Sequence, residues 1–143
     1  MSSSGAEGRP LERVRVDEES RWFWEACARH ELILQRCGAC DMVRFHPRAL
    51  CPACLSAEIR WLRASGRGEI YTFTVTHQNQ APAWRTRLPY VLAWIQLQEG
   101  PLVLSNVVGA APDALRIGAS VEVVFDAAAD GLAVPRFRLC EAQ

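Results

Sequence analysis

Cys37-Gly-Ala-Cys40 and Cys51-Pro-Ala-Cys54 decide how this chain is read. The two C-x-x-C knuckles lie ten residues apart, and each holds only a small residue or a proline between its cysteines. A knuckle turns the backbone so that both sulfurs face one point, and two such turns can surround a tetrahedral Zn²⁺ with four thiolates. The gap is shorter than the commonest zinc spacing. Two disulfides or a redox dithiol are the rival readings. A thioredoxin-like dithiol needs one C-x-x-C beside a βαβ pattern, and the chain shows no such pattern. Four cysteine ligands leave no position for water or substrate, so a zinc ion here is structural. His46 and Cys27 are the nearest competitors as ligands. The first has a sphere already filled by thiolates, and the second reads as a buried apolar residue. His30 reads as a helix-end residue.

The knuckles need flanks. Residues 31–36 read as a strand feeding the first, residues 44–48 as one feeding the second, and residues 59–61 as a strand leaving the ribbon. The metal replaces a core that these forty-odd residues cannot build alone. Upstream, residues 1–16 carry Ser, Gly and charge without periodicity and read as a flexible lead-in. A helix is expected from Asp17 as N-cap, with Glu18 and Glu19 in its first turn. Its stripe is Trp22, Phe23, Ala26 and Cys27, with Ile33 further along. Such a helix is too apolar to stand in water. It either packs on the chain's own core or docks a partner or a second copy. On the docking reading, deletion of residues 1–30 leaves a folded barrel and loses the complex.

Downstream of Ser65-Gly-Arg-Gly68 the texture becomes alternating. Residues 69–77 place Tyr71, Phe73 and Val75 on one face and Thr72, Thr74 and Thr76 on the other. Residues 90–98 alternate with Val91, Ala93, Ile95 and Leu97 inward, and 102–108 return after the Glu99-Gly100 turn. Val121, Val123 and Phe125 mark a fourth strand. Asp130-Gly131 signals a hairpin, and residues 135–140 form the fifth strand. The expected architecture is mainly β: an N-terminal helical segment (17–34), a zinc ribbon (35–62) and a five-stranded OB-fold barrel (63–143).

Composition narrows the function. Sixteen Arg, no Lys and sixteen acidic residues give a formal net charge of zero, so no global field draws nucleic acid or anionic membrane. The chain has neither an apolar signal region nor a run long enough to span a bilayer, and it reads as cytoplasmic, where thiols stay reduced. It contains no G-x-S-x-G elbow, phosphate loop or dinucleotide fingerprint. Cys140 is a candidate nucleophile, but a cysteine at the edge of a core is the commoner case. The connection 78–89 is long for a hairpin, and long loops on small barrels often bind. It carries Trp84 between Arg85 and Arg87, an aromatic face and two guanidinia that suit an adenine ring and CoA phosphates. The plainer reading is a solvated loop whose tryptophan packs back on the barrel.

Several features together resemble one family. They are Phe23-Trp24 in the leading helix, Leu34-Gln-Arg-Cys-Gly-Ala-Cys40, Pro47-Arg-Ala-Leu-Cys-Pro-Ala-Cys54, Trp61, Ser65-Gly-Arg-Gly-Glu-Ile-Tyr71, Pro89-Tyr-Val91 and Ile117-Gly118. The chain resembles, over residues 18–140, the OB-fold acyl-CoA-associated family known as domain of unknown function 35. The resemblance implies a rubredoxin-like form for the zinc ribbon, and a non-catalytic accessory subunit that binds acyl-CoA or CoA. It would partner a thiolase-like, lipid-transfer-type aldolase or hydratase enzyme, with a homodimer through the leading helix as a further use. The alternative is a single-stranded nucleic-acid module, since zinc ribbons and OB barrels recur there. Its positive patch would come from Arg63, Arg67, Arg136 and Arg138, with Trp94 as a stacking platform.

Overall fold

A computed structural model describes residues 12–141. The first turn sits at residues 18–20, ahead of helix α1 (Arg21–Ala28). Asp17 closes that turn: its carboxylate accepts from the Ser20 amide at 2.8 Å and from Ser20 Oγ at 2.7 Å, while its own amide donates to Ser20 Oγ. The regular helix therefore begins three residues later than the sequence suggests, with Ser20 as its cap and the Ser20 carbonyl accepting from Trp24 N. It ends where His30 takes a left-handed conformation, φ 61°, and the amides of Arg29, His30 and Glu31 return to the carbonyls of Ala26 and Cys27.

Phe23, Ala26 and Cys27 are buried, and Phe23 packs edge-on against Phe45 at 5.4 Å between ring centroids. The helix lies against the ribbon on one side and the barrel's last strand on the other. Of the two readings of α1, packing on the chain's own core accounts for most of the apolar stripe, and Trp22 alone of that stripe, 56% exposed, faces out. Two modules, rather than one small ribbon, supply the cover.

The ribbon is a sheet in the order β2-β1-β3, built from β1 (Ile33–Cys37), β2 (Val43–Arg44) and β3 (Ile59–Arg63), all antiparallel. The strand expected over 44–48 is only two residues long. Pro47 has no amide for a ladder, and Arg48 N donates to the Gln35 side chain instead, at 2.9 Å. Leu32 and Leu34 join Phe23, Cys27 and the barrel residues in one continuous core.

The barrel closes in the order β4-β5-β6-β8-β7, from β4 (Arg67–Thr76), β5 (Tyr90–Leu97), β6 (Leu102–Val107), β7 (Ser120–Ala127) and β8 (Ala133–Leu139). The seam between β6 and β8 is parallel and pairs at Val107 and Phe137. This is the OB-fold arrangement. The Ser-Gly-Arg-Gly motif has a steric cause. A Cβ on Gly68 would sit 2.5 Å from the Gln96 carbonyl oxygen, and Gly66, at φ +77°, would place one 2.5 Å from Val123 Cγ1. Asp130 and Gly131 both take positive φ, as the β7–β8 hairpin requires.

The alternation in β4 breaks where the sequence shows no break. A bulge between Ile70 and Thr72 shifts the register, so Ile70, Phe73 and Val75 face in and Tyr71, 57% exposed, faces out. Of the segment read as a flexible lead-in, residues 1–11 lie outside the described residues. Glu12 is tied to the barrel: its carbonyl accepts from Ala129 N at 2.9 Å and its carboxylate pairs with Arg136. No helix among the described residues is long and apolar enough to cross a membrane.

Candidate metal centre and barrel-end cavity

The first knuckle follows β1 and the second closes the loop between β2 and β3. Each turn is held by backbone bonds, Asp41 N to the Cys37 carbonyl and Leu55 N to the Cys51 carbonyl. Asp41 and Leu55 both take positive φ, which brings the chain back under its own sulfurs. The four Sγ atoms lie within 4.8 Å of one another. Cys37 and Cys54 are 3.6 Å apart and Cys40 and Cys51 3.7 Å. A tetrahedron with Zn–S of about 2.3 Å has sulfur–sulfur edges of roughly 3.8 Å, so the cluster has the size of a zinc shell. All six cysteines are free, which sets aside the disulfide reading.

The surrounding amides favour thiolates at the head of each knuckle. The amides of Cys40 and Ala39 hold Cys37 below the usual thiol range, with Ala39 N 3.4 Å from its sulfur. The amides of Cys54, first, and Ala53 draw Cys51 down to about 6. The amide of Ser56 pulls on Cys54, yet the sulfur of Cys37 and desolvation outweigh it and push this thiol up to about 12. Cys40 also rises, desolvation and the sulfurs of Cys51 and Cys37 outweighing the Met42 amide. Four sulfurs this close cannot all ionise alone, and a dication removes that conflict. His46 instead packs its ring against Phe45, and the buried thiol of Cys27 is pushed up to about 12 by desolvation, which leaves it inert.

A cavity of about 410 Å³ opens at the barrel end, between the 77–89 connection, β7 and β8. Trp84 and Arg87 line it; Arg85 does not. The connection folds into a short helix, α2 (Pro82–Arg85), which lays Trp84 on Tyr90 at 4.7 Å between centroids. The guanidinia of Arg87 and Arg136 lie 5.0 and 5.3 Å from the centre of the Trp84 ring. Arg87 is only 10% exposed at its side chain and pairs with Asp126 at 3.3 Å. Arg85 is exposed and donates to the carbonyl and side-chain oxygens of Gln80. The offered adenine platform is thus engaged within the chain, and of the two guanidinia Arg85 is the outward one.

Sequence reading missed Asp126, Asn106 and the inward role of Arg136. Arg136 Nη1 donates to Asn106 Oδ1 at 2.7 Å, and Asn106 Nδ2 donates to the Val91 carbonyl at 2.9 Å. An asparagine inside a valine-rich strand was the available signal, since strands are depleted in it. Three of the four arginines of the expected positive patch are paired with carboxylates, and Arg67 is the exposed fourth. Arg63 pairs with Glu31, Arg138 with Glu122, and Arg136 is buried against Glu12. Cys140 is half-buried at the end of β8.

With this geometry established, similarity to known proteins is informative. Residues 24–60 match the ChsH2 rubredoxin-like zinc ribbon domain, and residues 61–126 match the ChsH2 C-terminal OB-fold domain. A probable enoyl-CoA hydratase alpha subunit from Thermomonospora curvata is 35% identical over 126 residues, 88% of this chain. The chain spans 39% of that relative's length. A DUF35 domain-containing scaffold protein from Methanocaldococcus jannaschii is 38% identical over 99 residues, 68% of this chain and 69% of its own. A solved chain described as Ltp2-ChsH2(DUF35) aldolase superposes with a TM-score of 0.80 at 35% identity, covering 89% of this chain and 98% of that one.

Proposed function

The chain belongs to the ChsH2 and DUF35 family of zinc-ribbon and OB-fold proteins, and from that premise we propose that it is a non-catalytic accessory subunit of an enzyme acting on acyl-CoA thioesters. The observation that carries this reading is the 98% coverage, at TM-score 0.80, of a chain described as part of an Ltp2 aldolase. The partner class is an aldolase or a hydratase, the two activities named among the relatives.

Cys37, Cys40, Cys51 and Cys54 are the residues that would hold zinc, which supplies a closed, structural four-coordinate site. The ribbon then holds α1 against the barrel. For CoA, Arg85 is the guanidinium that reaches solvent, held only by neutral oxygens of Gln80 and so able to turn to a phosphate. Trp84 and Arg87 form the wall behind it. Arg87 keeps its ion pair with Asp126, and its first duty is to shape the loop.

The two arginines separate in experiment. Arg85→Ala is expected to leave stability unchanged and weaken CoA-ester binding by the complex about ten- to a hundredfold, the loss of one charge-assisted contact of roughly 1.5–3 kcal/mol. Arg87→Ala is expected to lower unfolding free energy by roughly 1.5–3 kcal/mol, because it removes the charge-assisted contact to Asp126, which keeps Arg136 at 3.8 Å, and uncovers Trp84. Calorimetric binding and urea denaturation of both variants read this out. Equal CoA affinity in Arg85→Ala moves the ligand site away from the loop. The accessory reading itself is tested by expressing the tagged chain in its native cells and identifying the protein that elutes with it in fixed ratio. An acyl-CoA aldolase or hydratase that loses activity without this chain is the expected result. Turnover of acyl-CoA by the purified chain alone would overturn it.

A further inference from the structure

Residues 70–76, 90–98 and 102–108 contain no Arg, Lys, Asp or Glu, although the chain carries sixteen charges of each sign. These residues make up most of β4, β5 and β6, three neighbouring strands of the barrel. The strands β7 and β8 differ, with Glu122, Asp126, Arg136 and Arg138. An uncharged stretch is unremarkable inside a protein, but here the outward positions are large and apolar. The bulge turns Tyr71 out, and next to it Trp94 pairs in register with Thr72 on one side and Leu104 on the other. Trp94 is 39% exposed, Leu104 45%, and Leu102 is exposed beside them. Tyr71, Trp94 and Leu104 form a row across the three strands.

At Leu104 the row runs into a groove of about 260 Å³ where the barrel meets α1 and the ribbon. Phe23, Trp24, Phe45, Pro47 and Pro135 line it with Leu104. Row and groove are therefore one apolar surface that crosses from the barrel to the ribbon. Interfaces are depleted of charge at their centre and enriched in aromatics, which is the composition seen here.

We propose that this face docks the enzyme subunit that the chain accompanies, through a partner surface that is itself uncharged and apolar and that fills the groove. The inference rests on the accessory reading above. Charge selects the occupant first. Nucleic acid and anionic lipid are held by exposed cations; residues 70–76, 90–98 and 102–108 carry none, and the one arginine lining the groove, Arg136, is buried and paired with Glu12. Area selects next. Three strands of about seven residues present on the order of 300 Å². Two copies stacked through the strands alone would bury about 600 Å² in total, in the range of packing contacts and below the roughly 1,000 Å² of a specific interface. A lasting partner has to cover the groove as well, and so touches barrel, helix and ribbon together.

The test uses the enzyme that co-elutes with the tagged chain. Trp94→Glu and Leu104→Glu point into solvent, so zinc content and melting temperature should match the wild type. Each should weaken binding of that enzyme at least tenfold by calorimetry, because the introduced carboxylate is desolvated in the complex. The double variant Trp94→Ala, Leu104→Ala reports on the same surface if a glutamate perturbs folding, and should weaken binding at least fivefold. Wild-type affinity in all three variants would overturn this face while leaving the accessory reading intact. Variants that break a wild-type dimer while keeping enzyme affinity would reassign the face to contact between copies. Absence of any acyl-CoA enzyme in the wild-type eluate would bring down both readings.

Discussion

Cys51→Ser, or removal of metal by a chelator, is expected to release one equivalent of Zn²⁺ and melt residues 37–58. The sulfur cluster already has the dimensions of a zinc shell, and the knuckle amides favour thiolate at Cys37 and Cys51. Structural zinc contributes about 10–16 kcal/mol of apparent binding free energy in small zinc modules. A loss of at least ~4 kcal/mol in unfolding free energy is therefore the expected scale. The damage should be graded. Amide exchange should rise first across both knuckles and β2, then in β1 and β3, and last in β5 and β6, whose ladders do not depend on the ribbon. Binding should also weaken as pH falls, since protons compete for each sulfur. Elemental analysis and hydrogen exchange decide the matter. A metal-free protein with unchanged protection over 37–58 would refute it.

The second large effect concerns α1. Phe23→Ala is expected to cost about 3–5 kcal/mol, the usual range for emptying a buried aromatic site. Phe23 touches Trp24 and Phe45 edge-on and sits in the core shared by ribbon and barrel. Trp22→Ala, by contrast, should stay within about 0.5 kcal/mol, as exposed positions do. Truncation through residue 30 should give an aggregating or unfolded product and no free-standing barrel, because it removes Phe23, Ala26 and Cys27 together. Denaturant melts of the point variants and solubility of the truncation check this. A soluble, cooperatively folding truncation would restore α1 as a docking arm.

The zinc ribbon and the barrel were legible because their signals are local. Cysteine spacing states the ligand set, and period-two alternation in 90–98 states both the strand and its inner face. What was not legible is non-local or phase-dependent. A bulge adds one residue to a strand without any residue type that announces it, so Tyr71 was assigned to the wrong face. Three consecutive aromatics, Trp22 to Trp24, do not say which of them finds cover, because that depends on β8, more than a hundred residues later. Separation along the chain also hides the pairing of Glu12 with Arg136, 124 residues apart, and of Arg87 with Asp126, 39 residues apart. The family resemblance, carried by the knuckles and by Ser65-Gly-Arg-Gly68, was recoverable because both motifs are imposed by sterics or coordination.

The placement of α1 against β8 also dictates an order of events. The helix leaves the ribosome long before Ala133–Leu139 exist, and until those residues arrive one side of its apolar stripe has nothing to pack on. The ribbon can form early, since its strand pairings are local. The barrel cannot close before its last strand is made, and closing it through a non-local parallel seam is slow. During that interval Phe23 and Trp24 are open to solvent, a window in which nascent chains associate wrongly. Early capture of zinc shortens the exposure from one side, by giving the helix half of its final bed.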